Sequence, residues 1–220
     1  MPSRRARALP YIAVEGAKGA GKTSALRFVR EALRASGIRA ACLDPTEQGC
    51  PLHPLELLHR SVGSRVDRLT ERLYAYRSNR QARLAQVYRV TCDVVLGDRS
   101  FVTTLATRWE RTTEIGERAH FDRCRSLEWL IPIPDHVIYI DAPTAELRRR
   151  VELRGRRYGI RDESVTRLQE VRCAYEAIRR SSLPELAPIT WHFVANDGPP
   201  DGVGPEVLRI VLSTLGLEKL

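Results

Sequence analysis

Segments of β type and α type alternate along the chain. That alternation predicts an α/β fold, a three-layer sandwich in which a five-stranded parallel sheet carries helices on both faces. Two further observations agree. Residues Gly16-Ala17-Lys18-Gly19-Ala20-Gly21-Lys22-Thr23 spell G-x-x-x-x-G-K-[ST], a phosphate-holding glycine loop, between an apolar run and a helical run. The 220 residues, 43% of them hydrophobic, suffice for one medium domain with a real core.

The elements follow in order. Residues 1–10 carry Arg4, Arg5 and Arg7 with no apolar stretch behind them, so they read as a basic tail and not as a signal peptide. Residues 11–220 read as a single P-loop domain. Short apolar runs at 11–15, 39–43, 94–97, 136–141 and 190–194 predict strands. Helical periodicity covers 23–36, 55–90, 102–131, 144–186 and 206–215, and Asp197-Gly198-Pro199-Pro200-Asp201-Gly202 predicts a loop before the last helix. In a sheet of this kind ligands bind at the carboxyl ends of the strands.

Strand, glycine loop and helix give the motif its chemistry. Gly16, Gly19 and Gly21 allow positive φ and let backbone N–H groups face phosphate oxygens. The first helical turn adds unsatisfied N–H groups and the positive end of a dipole. The nucleotide-holding set is therefore Gly16, Ala17, Lys18, Gly19, Ala20, Gly21, Lys22, Thr23 and Ser24. Lys22 is expected at the β- and γ-phosphates of a nucleoside triphosphate, and the Thr23 hydroxyl on Mg²⁺. Asp98, at the end of the third strand, is the second expected Mg²⁺ ligand, and Arg99 beside it can hold an anionic acceptor.

Composition limits the alternatives. The net charge is +9, with 36 basic against 27 acidic residues. That balance permits nucleic-acid binding, but the arginines are spread along the chain and often lie near acids at helical spacing. Anionic small molecules account for them more economically. Five cysteines without C-x-x-C or metal spacing point to reduced thiols in a cytoplasmic protein. No stretch reaches the length of an apolar membrane span.

Taken together, these motifs resemble the thymidylate kinase family over most of the chain. Glu15-Gly16 resembles its E-G opening, and Asp44-Pro45-Thr46-Glu47-Gln48-Gly49 sits where the family has an R-E-P loop. Tyr76-Arg77-Ser78-Asn79-Arg80 matches an aromatic-x-x-x-Arg pattern. Gly97-Asp98-Arg99-Ser100 is similar to the D-R-[YHS] segment, and the run from Pro134 to Pro143 to the P-D-x-x-x-Y-L-D-x-P strand. Residues 154–163 resemble a short arginine-rich lid.

The resemblance implies an ATP- and Mg²⁺-dependent kinase that phosphorylates a nucleoside monophosphate, with dTMP the named expectation. It also implies a homodimer. Lys22, Asp98 and the lid arginines Arg156, Arg157 and Arg161 would carry catalysis, with Arg161 aligned best. Tyr76 would stack on the acceptor base, Arg80 and Arg99 would grip its phosphate, and Asp44 would orient it. Three departures fall on the acceptor side: Lys18 replaces an acid, Leu43 replaces an arginine, and Thr107-Arg108 replaces Tyr-Gln. Arg108 thereby becomes a further acceptor contact. The departures keep two alternatives open, a kinase of a nucleoside or other small metabolite and a nucleotide-binding regulatory protein. No N-K-x-D guanine-reading motif is present, since Asn196-Asp197 lacks the lysine.

Overall fold

The computed structural model describes residues 9–44, 68–88, 91–153, 164–199 and 201–218. Its strands are β1 (Tyr11–Glu15), β2 (Ala40–Leu43), β3 (Val94–Asp98), β4 (His136–Asp141) and β5 (Thr190–Ala195). They form one parallel sheet in the order β2-β3-β1-β4-β5. β1 and β3 are buried along their whole length, as expected of strands covered on both faces.

Side-chain alternation sorts the core into two layers. Tyr11, Ala13, Val95, Val137 and Tyr139 face one way, while Ile12, Val14, Val94, Leu96, Ile138 and Ile140 face the other. The second face is covered by α1 (Lys22–Ala35) and, at the chain's end, by the helix Gly204–Leu215. In α1, Ala25, Leu26, Val29 and Leu33 recur at helical spacing and are buried. The first face is covered by α2 (Arg68–Tyr88), α3 (Phe101–Ala106), α5 (Glu117–Leu127) and α7 (Val165–Arg179). α4 (Thr112–Ile115) follows a 3₁₀ turn at Trp109–Arg111, and α6 (Thr144–Leu153) follows β4. The terminal helix Gly204–Leu215, α8, has proline in its first turn and stops at Gly216 with φ 71°.

All five expected strands are present, with ends shifted by a residue at most. The helical regions are more broken than periodicity suggests. Between 102 and 131 the chain is interrupted at Gly116, whose φ of 78° leaves the helical region. α7 ends at Arg179 and not near Leu186. Pro184 biases the residue before it away from the helical region, and the Leu183 N–H turns to the Ser181 hydroxyl at 3.1 Å. The expected start of the long second helix, before residue 68, lies outside the described residues, as does the tail 1–8. Among the described residues no helix is long and apolar enough to cross a membrane.

Candidate phosphate-loop site

The glycine loop joins β1 to α1 at the carboxyl edge of the sheet. Gly16 has φ 143°, and a Cβ there would lie 2.3 Å from the Ile140 carbonyl oxygen. Gly19, at φ 87°, would set a Cβ 2.8 Å from the Leu147 carbonyl oxygen. Both positions combine a left-handed backbone with a contact too close for any side chain. Gly21, at φ 101°, is the N-cap of α1 and supplies no side chain to the first turn, which leaves its N–H groups open toward a ligand.

Lys22 is buried, and its Nζ donates to the carbonyls of Gly16 at 2.8 Å and Ala17 at 2.9 Å. The ammonium is thus held against the loop that it would serve. Thr23 is exposed in the next position, and its Oγ1 donates to Asp98 Oδ2 at 3.1 Å. β1 and β3 are neighbours in register, Val14 opposite Asp98, which is why residues 75 apart in sequence meet. Lys18 is half-buried on the loop and Ser24 half-buried in α1.

Below the loop lies a buried carboxylate that the sequence reading noted only as part of an E-G opening. Glu15 is fully buried and accepts hydrogen bonds from Ser100 Oγ at 2.7 Å, Tyr175 OH at 2.8 Å and Thr103 Oγ1. Burial raises its pKa above the ordinary 4.5, against the opposing pull of the three hydroxyls and the Lys22 charge. Between Asp98 and Ser100, Arg99 has φ 74°. Among the described residues it is the non-glycine residue with a positive φ.

A second hidden support comes from α6. Arg150 is 2% exposed and donates to the carbonyls of Gly19 at 3.2 Å, Asn196 at 2.8 Å and Gly198 at 2.6 Å, and to Glu146 Oε1 at 2.6 Å. Asn196, also buried, donates from Nδ2 to the Ala20 carbonyl at 2.8 Å. The loop after β5 and the phosphate loop are therefore tied to each other and to α6. The signal for Arg150 was positional. It lies three residues after the fully buried Leu147 and so on the inner face of its helix, whereas Arg148 and Arg149 point outward and pair with Glu152 and Glu146.

The expected acceptor residues are less closely gathered. On α2, Ala75 and Ala82 face the core, and this rotation leaves Tyr76 56% exposed and Arg80 half-buried. The buried polar positions of the helix are Arg77, Ser78 and Gln81, with Tyr74 stacked 5.0 Å beneath the Arg77 guanidinium. Asp44 is half-buried immediately after β2. Leu43 is a core residue, 1% exposed and opposite Gly97, so its side chain points into the sheet layer rather than toward the edge.

Arg108 is half-buried and lies within electrostatic reach of Glu128. Glu128 is itself buried and accepts from Thr104 Oγ1 at 2.6 Å; burial raises its pKa. At the end of β4, Asp141 receives a two-pronged contact from Arg172 at 2.8 and 2.6 Å. Arg156, Arg157 and Arg161 lie outside the described residues. The structure thus brings together Gly16, Gly19, Gly21, Lys22, Thr23 and Asp98, and sets Arg99 beside them in sequence.

Comparison with known proteins places this geometry. The family model described as Thymidylate kinase matches residues 14–185. A probable thymidylate kinase of Thermococcus onnurineus is 27% identical over 179 residues, covering 73% of this chain and 78% of the relative. A probable thymidylate kinase of Pyrococcus horikoshii is 29% identical over 159 residues, covering 66% of this chain and 71% of the relative. The match spans the glycine loop, the Asp98-Arg99 strand end and α7, so the chain belongs to the thymidylate kinase family and is a phosphotransferase.

Proposed function

We propose that the protein transfers the γ-phosphoryl group of ATP to a nucleoside monophosphate, with dTMP as its acceptor. The observation that carries the donor half is the Thr23 hydroxyl lying 3.1 Å from Asp98 Oδ2, beside a buried Lys22 and a loop in which side chains are excluded at Gly16 and Gly19. The names of the two relatives support dTMP as acceptor.

The residues fit a magnesium ion. Adjacent oxygens around an octahedral Mg²⁺ lie about 2.9 Å apart, close to the Thr23–Asp98 spacing. Among the described residues no three His, Cys, Asp or Glu side chains converge on a metal position. Thr23 and Asp98 would hold the ion together with phosphate oxygens and water. When bound, it would neutralise charge on the polyphosphate.

Phosphoryl transfer needs positioning and charge neutralisation more than covalent chemistry. The backbone N–H groups of the loop would orient the polyphosphate. Lys22 would leave the Gly16 and Ala17 carbonyls for the phosphate oxygens, exchanging two neutral acceptors for charged ones. Arg99 would hold the acceptor phosphate. Arg156, Arg157 and Arg161 would complete the clamp around the transferring group and help exclude water. Tyr76, Arg80, Asp44 and Arg108 are secondary acceptor contacts in this reading, with Arg77 a closer neighbour of the buried side of α2 than Tyr76. A cytoplasmic homodimer completes the proposal, and light scattering tests the oligomeric state.

One observation favours a second reading, a kinase with a redirected acceptor: the half-buried Lys18 on the loop, a cation where the family resemblance leads one to expect an acid. A single experiment separates the two. ADP formation is measured with ATP and Mg²⁺ against all ribo- and deoxynucleoside monophosphates, the nucleosides and phosphorylated sugars, with Lys22→Ala as control. Stimulation by dTMP above all others supports the first reading. Preference for another acceptor supports the second, and no stimulation by any acceptor overturns both.

A further inference from the structure

We propose that Glu15 is a positioning residue for the acceptor, acting through the backbone on either side of Arg99. The inference rests on the reading of Arg99 as the residue that holds the acceptor phosphate. Glu15 ends β1, so it belongs in sequence to the donor loop. Its carboxylate feels the Lys22 charge, but its side-chain hydrogen bonds lead away from that loop. It accepts from Ser100 and Thr103 at the start of α3 and from Tyr175 on α7.

The consequence falls on Arg99. Its N–H donates to the Val14 carbonyl at 3.4 Å, and the residue after it, Ser100, is fastened to Glu15 at 2.7 Å. Two consecutive residues of β1 therefore grip the two residues that flank and include the left-handed turn. A positive φ at an arginine is unfavourable and persists only where its surroundings over-determine it. Here the surroundings are this clamp. Ser100 Oγ also accepts from the Val102 N–H at 3.1 Å, so the same hydroxyl caps α3 while it holds Glu15. Tyr175 closes the arrangement from α7: its hydroxyl donates to Glu15 and lies within electrostatic reach of Arg99.

A fully buried carboxylate is costly unless hydrogen-bonded, and three hydroxyls on one carboxylate meet that need. An apolar residue would fill the same space without that cost, but it could not fasten Ser100. The group is thus placed for what it fixes. It fixes the backbone at Arg99 and Ser100, beside the β1 and β3 ends, and makes no contact with the phosphate loop's own supports, Arg150 and Asn196.

The test compares Glu15→Gln, Ser100→Ala and Arg99→Ala, singly and with Arg99→Ala combined with each of the others. Acceptor KM and kcat are measured with dTMP, or with the best nucleoside monophosphate of the panel above. ATP affinity is measured separately by calorimetry. We expect Glu15→Gln and Ser100→Ala each to lower acceptor kcat/KM by about tenfold to a hundredfold, the scale of an ångström-sized misplacement, with ATP affinity unchanged in Ser100→Ala, which keeps the carboxylate that Lys22 feels. In the Arg99→Ala background neither should cause further loss, because all three act through one side chain.

If Glu15→Gln does not fold, Ser100→Ala decides alone in the same terms. Loss of ATP and acceptor binding in parallel in Ser100→Ala would overturn the proposal, since it would make the Glu15–Ser100 bond a support of the whole site. Additive losses with Arg99→Ala would overturn it equally. If Arg99→Ala lowers acceptor use while the other two variants do not, the positioning role falls and the reading of Arg99 stands. If Arg99→Ala leaves acceptor use unchanged, both fall.

Discussion

The guanidinium of Arg150 donates to the carbonyl of Gly19 at 3.2 Å, joining residues 131 apart in sequence. This contact makes the phosphate loop a braced structure and not a free glycine turn. Its other ties, to Asn196 and Gly198, extend the brace across the carboxyl edge of the sheet. Arg150→Ala would leave three carbonyl acceptors without this donor, and we expect a loss of roughly 3 kcal/mol in stability. Arg150→Lys should recover little of it, because one ammonium cannot reproduce a planar fork that serves several carbonyls. Urea denaturation of the three proteins gives the comparison; a lysine variant as stable as the parent would sink the argument.

Thr23 and Asp98 should matter for magnesium rather than for folding. Thr23 is exposed, and its hydrogen bond to Asp98 lies at the open edge of the sheet. Thr23→Ala is expected to raise the magnesium concentration needed for half-maximal turnover and to lower kcat by at least about tenfold. Thermal unfolding should change by no more than about 1 kcal/mol. Magnesium titrations of the two proteins check this, and an unchanged metal requirement would contradict the assignment.

Lys22→Ala removes the buried ammonium that is held against the loop carbonyls. Loss of one charge-stabilising donor costs about 10²–10³ in kcat. The same change deletes the hydrogen bonds to Gly16 and Ala17 and a favourable neighbour of the buried Glu15. The expected outcome is a folded protein with that scale of loss in turnover, read by ADP formation and circular dichroism together. Turnover within a few-fold of the parent would remove Lys22 from the mechanism.

Glu128 provides a pH prediction with a defined sign. Burial raises its folded pKa above the ordinary 4.5, while Thr104, Ser78, Arg108 and Arg125 pull it back. The folded protein then binds a proton more tightly than the unfolded chain does. The stability this contributes is fully present below 4.5 and is lost as pH rises through the folded pKa. Glu128→Gln does not titrate, so its urea midpoint relative to the parent should improve as pH rises above 4.5 and through the folded pKa. A difference that stays constant, or moves the other way, would show that the neighbouring arginines outweigh burial.

The sheet was legible because its inner strands, β1, β3 and β4, are buried along most of their length. Residues 11–15 and 136–141 stand out as short apolar runs whatever surrounds them, and the loop between β1 and α1 carries its own spelling. What escaped notice was polar and buried. Arg150 sits in a run of three arginines that looks like a solvated face, and only its spacing from Leu147 separates it from its neighbours. Glu15 was readable as part of a motif but not as a carboxylate gathering hydroxyls from residues 100, 103 and 175. Such partners come from two helices far apart in sequence, α3 with its cap and α7, and one-dimensional periodicity carries no trace of them. On α2 the pattern identified a helix, but its rotation followed from Ala75 and Ala82 against the core, which turned Tyr76 outward and Arg77 inward.

The central place of β1 also bears on how the protein comes to be made. β1 pairs with two strands synthesised after it, β3 and β4, and the Ala20 carbonyl accepts from Asn196 across 176 residues. An emerging chain therefore carries its glycine loop without this brace through most of translation, because Asn196 follows β5. A loop braced so late is a poor early template for folding around a nucleotide. Nascent chains halted before β5 should be released without affinity for ATP, and the unpaired first strand is the segment that chaperones would have to shield in the meantime.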